Sequence, residues 1–164
     1  MASDSSSSVA ALGPAAAEAA LWGHAVALYA QAGVAPLCLQ GQREHGLRVN
    51  WLLWLLWLEH RHQVADPELL DTAAAHTDSW YAGAIVPWRQ LRCRAAPGPQ
   101  REGLLRAELL CEREELRRLA RLQTRRGAND NLATYIQWLD QPALDTWCGR
   151  LRDALQGTLH PRPV

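Results

Sequence analysis

The stretch that decides the fold runs from Val49 to Leu58 and reads V-N-W-L-L-W-L-L-W-L. It is the most apolar run of the chain and the densest in tryptophan. At about 100° per residue, its Trp and Leu side chains cover the whole circumference of a helix and leave no face for water. We therefore predict a central helix that is buried on all sides by other helices.

Two other structures compete for this run, a membrane span and a β-strand. A helix needs roughly 20 apolar residues to cross a bilayer, whereas this run is about half as long and lies between Arg48 and Glu59. A strand would be enriched in Val, Ile and Thr rather than in Leu and Trp. A buried core helix is the better interpretation, and we expect no membrane span.

Length and composition predict one globular domain. The chain has 164 residues, of which 48% are hydrophobic and 21% charged, so it can bury a sizeable core. Helical periodicity without a strand pattern predicts an all-α, single-domain helical bundle of about six to eight helices. We expect a disordered tail over residues 1–12, a helical core domain over 13–126, and a helical extension over 127–164 that packs on or beside the core.

Proline and glycine predict most helix boundaries. Pro14 and Pro67 are placed to begin helices, and Pro87 interrupts a helical pattern, so we expect a kink or break near Gly83–Val86. A short helix is predicted over 37–42, the region from Gly41 to Gly46 is predicted as a loop, and the clearest turn lies at 95–100. A single long helix is predicted over 102–126, with an inner stripe formed by Leu105, Leu109, Leu116 and Leu119.

The sequence predicts a cytoplasmic protein without cofactor or metal. The first residues lack the basic segment of a secretory signal, and the four cysteines form no C-x-x-C pair. Glu59 and His62 form one E-x-x-H motif, beside His60. This segment ends the central helix, where histidine is favoured by the helix dipole, so a solvated helix end is the preferred interpretation.

Three stretches resemble an uncharacterised family of small proteobacterial proteins, a domain of unknown function. They contain Leu21-Trp22, Ala25, Leu28, Tyr29, Gly33-Val34-Ala35 and Cys38-Leu39; then Gly46, Val49-Asn50, Leu52-Leu53 and Trp57-Leu58; then Trp80, Val86-Pro87, Arg89, Leu91 and Arg92. The resemblance covers roughly residues 14–120. It implies a bacterial cytosolic protein of this size, but it brings no activity, ligand or catalytic residue.

Two sets of charged residues lack partners on their own helices. Glu108 and Glu112 are four residues apart, and neither has a basic residue three or four positions away on the same helix; Arg89 and Arg92 have no acid between Ile85 and Ala96. If the turn at 95–100 folds the two helices antiparallel, the two sets meet. The preferred interpretation is a structural ion network, and the alternative is a cleft that binds an anionic ligand.

One buried amide is a second candidate site. Asn50 heads the apolar helix, and an unpaired buried amide would cost about 1 to 3 kcal/mol, so we expect it to have a partner. The simple interpretation is that Asn50 holds two helices together. The alternative is that Asn50 contacts a small ligand in a pocket formed with Trp22, Tyr29 and Trp51.

A third candidate is a basic stripe at Arg113, Arg117, Arg121 and Arg125, which recur every four residues. Such a stripe can bind phosphates, or it can be a solvated helix face. No aromatic residue lies between Trp88 and Tyr135 to stack on bases, and the formal net charge is zero. Nucleic-acid binding is therefore the less favoured interpretation.

These patterns rank three classes of function. The first is a non-catalytic module that binds a protein partner or a small ligand, with the C-terminal helices as the mobile or partner-facing part. The second is association with RNA or the ribosome through the basic stripe. The third is an enzyme with a polar cleft at Arg89, Arg92, Glu108 and Glu112. It ranks last because no catalytic motif stands out. The oligomeric state is left open.

Overall fold

The computed structural model describes residues 12–157, so the predicted disordered tail lies outside the described residues except for Leu12. The elements in chain order are α1 (Pro14–Tyr29), α2 (Val34–His45), α3 (Val49–His60), β1 (Gln63–Val64), α4 (Pro67–Trp80), a π-helical turn (Tyr81–Ile85), α5 (Val86–Arg94), α6 (Pro99–Ala120), β2 (Arg125–Arg126), α7 (Asn131–Trp138), a 3-10 turn (Pro142–Leu144) and α8 (Asp145–Gly157). The predicted all-α fold class is confirmed.

Helix α3 is the centre of the core. All residues from Asn50 to Leu58 are buried, and α1, α2, α6 and α7 pack around them. This confirms the prediction of a central helix that is buried on every side. Among the described helices, none combines the length and the apolar composition that a bilayer crossing requires.

Helices α7 and α8 contribute to the same core. Helix α7 packs on α3 and α4, while α8 packs on α2. Asp130 caps α7 by accepting a hydrogen bond from the Ala133 N–H at 2.9 Å. The buried side chains from this part of the chain are Leu132, Tyr135, Ile136, Leu144, Trp147 and Leu151.

The break that Pro87 predicts is present as a π-helical turn. The helical path from α4 continues through Tyr81–Ile85 into α5, and the wider turn lies just before Pro87. Proline has no N–H and clashes with the carbonyl four residues earlier, so a regular α-turn is unfavourable there. A π-turn changes the hydrogen-bond spacing at that point and rotates the helix that follows.

The second helix is longer than predicted. Helix α2 spans Val34–His45 rather than 37–42, and it passes through Gly41 without a break. Gly41 faces Trp147 of α8, and a Cβ at this position would lie 2.8 Å from the Trp147 Cζ2 atom. This glycine therefore permits a close approach between two helices rather than marking a loop.

The prediction of one helix over 102–126 is wrong at both ends. Helix α6 begins at Pro99 and stops at Ala120, and residues 125–126 instead pair antiparallel with residues 63–64 in a two-stranded sheet. Gly127 lies against Val64, where a Cβ would be 2.6 Å from the Val64 Cγ2 atom. Leu116 and Leu119 are buried as predicted, but Leu105 and Leu109 are exposed because this half of α6 extends beyond the core.

Candidate interaction site: the α5–α6 hairpin

Helices α5 and α6 form an antiparallel hairpin through the turn predicted at 95–100. Gly98 has φ 142°, a conformation that favours glycine, and Pro99 occupies the first turn of α6. No residue of α5 is buried, and its main contacts are with α6 and the π-turn. Large apolar side chains of the hairpin are exposed, and these are Trp88, Leu91, Leu105, Leu109 and Leu110.

An ion network joins the two helices, as the charge spacing predicts. Arg89 Nε donates to Glu108 Oε1 at 2.7 Å, and Arg89 Nη2 donates to Glu112 Oε1 at 2.7 Å. Arg92 also donates to the Glu108 carboxylate through its Nε. The Glu108 side chain is only 4% exposed, so this carboxylate is buried beneath two arginine side chains that are themselves 20% and 23% exposed. The structure therefore brings together all four predicted residues.

The two carboxylates of this network differ in their protonation equilibria. Burial opposes ionisation of Glu108, but the hydrogen bonds from Arg92 and Arg89 outweigh burial and hold the pKa of Glu108 below the usual glutamate value. Burial raises the pKa of Glu112, Arg89 offsets this only in part, and the nearby charge of Glu108 raises it further. The pKa values of Glu108 and Glu112, which share Arg89 as a partner, are therefore shifted in opposite directions.

This difference predicts opposite pH responses for two variants. The lowered pKa of Glu108 stabilises the fold above the ordinary glutamate pKa of about 4.3, and this contribution is lost as the pH falls. The raised pKa of Glu112 favours the fold at low pH, and that contribution is lost as the pH rises. From about pH 3 to 6, the stability advantage of the wild type should grow relative to Glu108→Gln and shrink relative to Glu112→Gln. Urea unfolding across this range measures both slopes, and slopes of the same sign would contradict the assignment.

A second polar cluster adjoins the first at the start of α3. Arg48 donates to Asp78 Oδ1 at 2.5 Å and to the carboxylate of Glu115, which is 1% exposed. Its guanidinium also lies over the Tyr81 ring, 4.4 Å from the ring centroid. Arg89 donates to the Tyr81 hydroxyl at 3.4 Å, so this tyrosine of the π-turn connects the two clusters.

Asn50 has the partner that its burial requires. Its Nδ2 donates to Glu115 Oε2 at 2.7 Å and to the Glu112 carbonyl at 3.0 Å, which ties the head of α3 to α6. The Arg113 guanidinium lies over the Trp22 ring, with its carbon atom 5.0 Å from the ring centroid. Tyr29 lies near the ion network, where burial raises its pKa; interactions with the Cys38 thiol and the Glu112 carboxylate raise this pKa further, and Arg89 opposes them.

The residues of both clusters lie inside a segment that matches a known family. The family described as "Protein of unknown function (DUF2390)" matches residues 20–119. This chain belongs to that family. No curated protein and no solved structure matches the chain. The family segment, residues 20–119, contains α5, the π-turn and α6 up to its penultimate residue, so the hairpin is part of the family domain.

The basic stripe is not one continuous helix face, and it crosses the end of the family segment. Arg113 and Arg117 lie on α6, Arg121 follows its last residue, and Arg125 lies in β2. Arg117 pairs with Glu114 at 2.6 Å, Arg121 with Glu18 at 2.6 Å, and Arg125 with Asp66 at 2.6 Å. Three of the four guanidinium groups therefore face a carboxylate.

The E-x-x-H motif of the family segment has a structural partner outside it. Glu59 accepts hydrogen bonds from the Asn131 N–H at 2.7 Å and from both terminal nitrogens of Arg152, at 2.9 and 3.0 Å. His60 stacks on His24 with ring centroids 5.1 Å apart. Within residues 12–157, no group of three or more His, Cys, Asp or Glu side chains is arranged to hold a metal ion.

Proposed function

We propose that the protein is a cytoplasmic binding module whose α5–α6 hairpin docks on a protein partner. The observation that carries this proposal is that α5 has no buried residue although it holds Trp88 and Leu91. Exposed apolar groups are costly in water unless another surface covers them, and Trp and Arg are the residues that contribute most to protein interfaces.

The ion network supports this proposal because it makes the hairpin rigid. Arg89 and Arg92 are held by Glu108 and Glu112, so α5 keeps a fixed position on α6 without an apolar contact to the core. A preformed surface loses less conformational entropy on binding than a flexible one. The same contacts weaken the case for a polar catalytic cleft, since both guanidinium groups already hold carboxylates.

Charge at the tip of the hairpin suggests the chemistry of the partner. Three arginines, Arg94, Arg101 and Arg106, lie near the turn, and Glu102 is the one acid among them. The Arg106–Glu102 distance is 3.9 Å and both side chains are exposed, so this pair is weak. We therefore propose a partner that offers an apolar surface bordered by acidic side chains, because opposite charges at a rim guide docking.

Site-specific photo-cross-linking in the native host tests this proposal. A photo-cross-linking residue at Leu91 is expected to give one adduct of defined mass with another protein. The matched control is Leu39 on α2, which is also an exposed leucine but lies outside the hairpin. The adduct should disappear in a Trp88→Ala variant, and it should weaken about tenfold in an Arg94→Glu/Arg106→Glu variant.

Three results would contradict the proposal. These are no adduct from Leu91, the same adduct from Leu39, and an adduct with twice the mass of the chain, which would identify a second copy instead. Circular dichroism of each variant shows whether the helices are retained. Association with RNA has less support than a protein partner, because three of the four arginines of the basic stripe, Arg117, Arg121 and Arg125, face carboxylates.

A further inference from the structure

A cavity of about 680 Å³ lies on the side of α3 where α1 begins and α6 ends. We name it the α1/α3/α6 cavity. Its apolar wall includes Trp54 and Trp57 of α3, Ala17 of α1 and Leu119 of α6. The volume is within the range of about 300 to 1,000 Å³ that is typical of small-molecule sites.

Two residues of this wall carry a donor that lacks a hydrogen-bond partner. In the described part of the chain, five buried side-chain nitrogens are unpaired, and two of them, Trp54 Nε1 and Arg61 Nε, belong to residues that line the cavity. Trp54 is 0% exposed, so neither water nor an acceptor in the cavity touches its indole N–H until the wall shifts slightly. A buried donor without an acceptor is unfavourable, and a ligand that supplies an acceptor would remove that penalty.

The described lining of the cavity carries basic but no acidic side chains. Among the described residues that line it there is no Asp or Glu, while Arg61 and Arg121 are both present. Arg121 is paired with Glu18, but Arg61 lies over the Trp57 ring, 5.1 Å from its centroid, and has no carboxylate partner among residues 12–157. Helix α1 begins at the cavity without a side-chain cap or an acid in its first turn, so its positive dipole end adds to the potential.

We infer that the α1/α3/α6 cavity binds a hydrophobic monocarboxylate. A small shift of the wall would expose the donors of Arg61 and Trp54, and the carboxylate would accept hydrogen bonds from them beside the N-terminus of α1. The apolar body of the ligand would lie against Trp57, Ala17 and Leu119. This site lies away from the α5–α6 hairpin. The inference therefore goes beyond the proposed protein-binding function and is tested independently of it.

Calorimetric titration of the full-length protein with decanoate tests this inference, with 1-decanol as the uncharged counterpart. We expect saturable one-to-one binding of decanoate with a Kd below about 100 μM, and binding of decanol weaker by about tenfold or more. In spectra of ¹⁵N-labelled indoles, the Trp54 signal, assigned with a Trp54→Phe variant, should shift on addition of decanoate. The signal of Trp51, which is also an unpaired buried donor but does not line the cavity, should shift less.

A charge variant separates the site from general hydrophobic binding. Arg61→Gln should weaken decanoate binding by about tenfold and leave decanol binding unchanged, which also shows that the variant is folded. The matched control is Arg43→Gln, an exposed arginine on α2 outside the cavity, which should have no effect. The inference is overturned by equal binding of decanoate and decanol, by an unmoved Trp54 signal, by normal decanoate binding in Arg61→Gln, or by no saturable binding up to about 1 mM.

Discussion

Replacement of Glu115 by alanine is expected to lower the free energy of unfolding by about 3 to 5 kcal/mol. Glu115 is 1% exposed, and its carboxylate accepts hydrogen bonds from both Arg48 and Asn50. Its removal takes away the buried acceptor that the two donors share, and leaves Arg48 with the exposed Asp78 and Asn50 with the Glu112 carbonyl. Losing one member of a buried ion pair costs more than the pair contributes, because the remaining charge stays desolvated.

Asp78→Ala is the matched control for Glu115→Ala. Asp78 binds the same guanidinium of Arg48, but its side chain is 65% exposed, so the expected loss is about 1 kcal/mol or less. Urea unfolding followed by far-ultraviolet circular dichroism measures both values. Equal losses in the two variants would show that burial of the carboxylate does not determine the energetics of this cluster.

Trp51→Ala should have an effect of similar size, about 3 to 5 kcal/mol, because it removes a buried aromatic ring and leaves a cavity. Trp51 is 1% exposed, and its ring centroid lies 5.5 Å from that of Tyr135 and 5.8 Å from that of Trp138. Both partners are on α7. The control is Trp88→Ala on the hairpin, where the exposed indole predicts a loss of about 1 kcal/mol or less.

The same variant tests whether the chain divides into a core domain over 13–126 and an extension over 127–164. Because Trp51 packs directly on α7, we expect Trp51→Ala to speed amide hydrogen exchange in α3 and α7 together. A single urea transition with an unchanged slope would accompany this result. Exchange that increases in α7 alone, or two separate transitions, would contradict a common cooperative unit.

The sequence predicts those features of the fold that depend on local pattern. Side-chain periodicity predicts that α3 is buried on all sides, and Pro87 predicts the break between α4 and α5. The meeting of Arg89 and Arg92 with Glu108 and Glu112 follows from their distances to one turn. Each of these predictions uses residues from one helix or from two consecutive helices, where sequence spacing determines which side chains face each other.

Features that depend on distant contacts could not be predicted in this way. Arg48 and Glu115 are 67 residues apart. From the sequence alone, Arg48 is only a charged residue that precedes an apolar helix. The pattern of α6 continues to residue 126, but pairing with β1 ends the helix earlier. The sequence indicates a loop residue at Gly41, whereas in the structure Gly41 lies against Trp147 of α8. One signal was available for Glu115, since it continues the row of Glu108 and Glu112 on the same face of α6.

The π-helical turn changes the direction in which the side chains of α5 point. A π-turn holds about one residue more than an α-turn, which corresponds to a rotation of roughly 100° in all later side chains. A homologous chain one residue shorter between Tyr81 and Ile85 would point its equivalents of Arg89 and Arg92 away from α6. The turn thus acts as a one-residue insertion that aligns two arginines with two glutamates, and its length sets which face of α5 is presented to solvent.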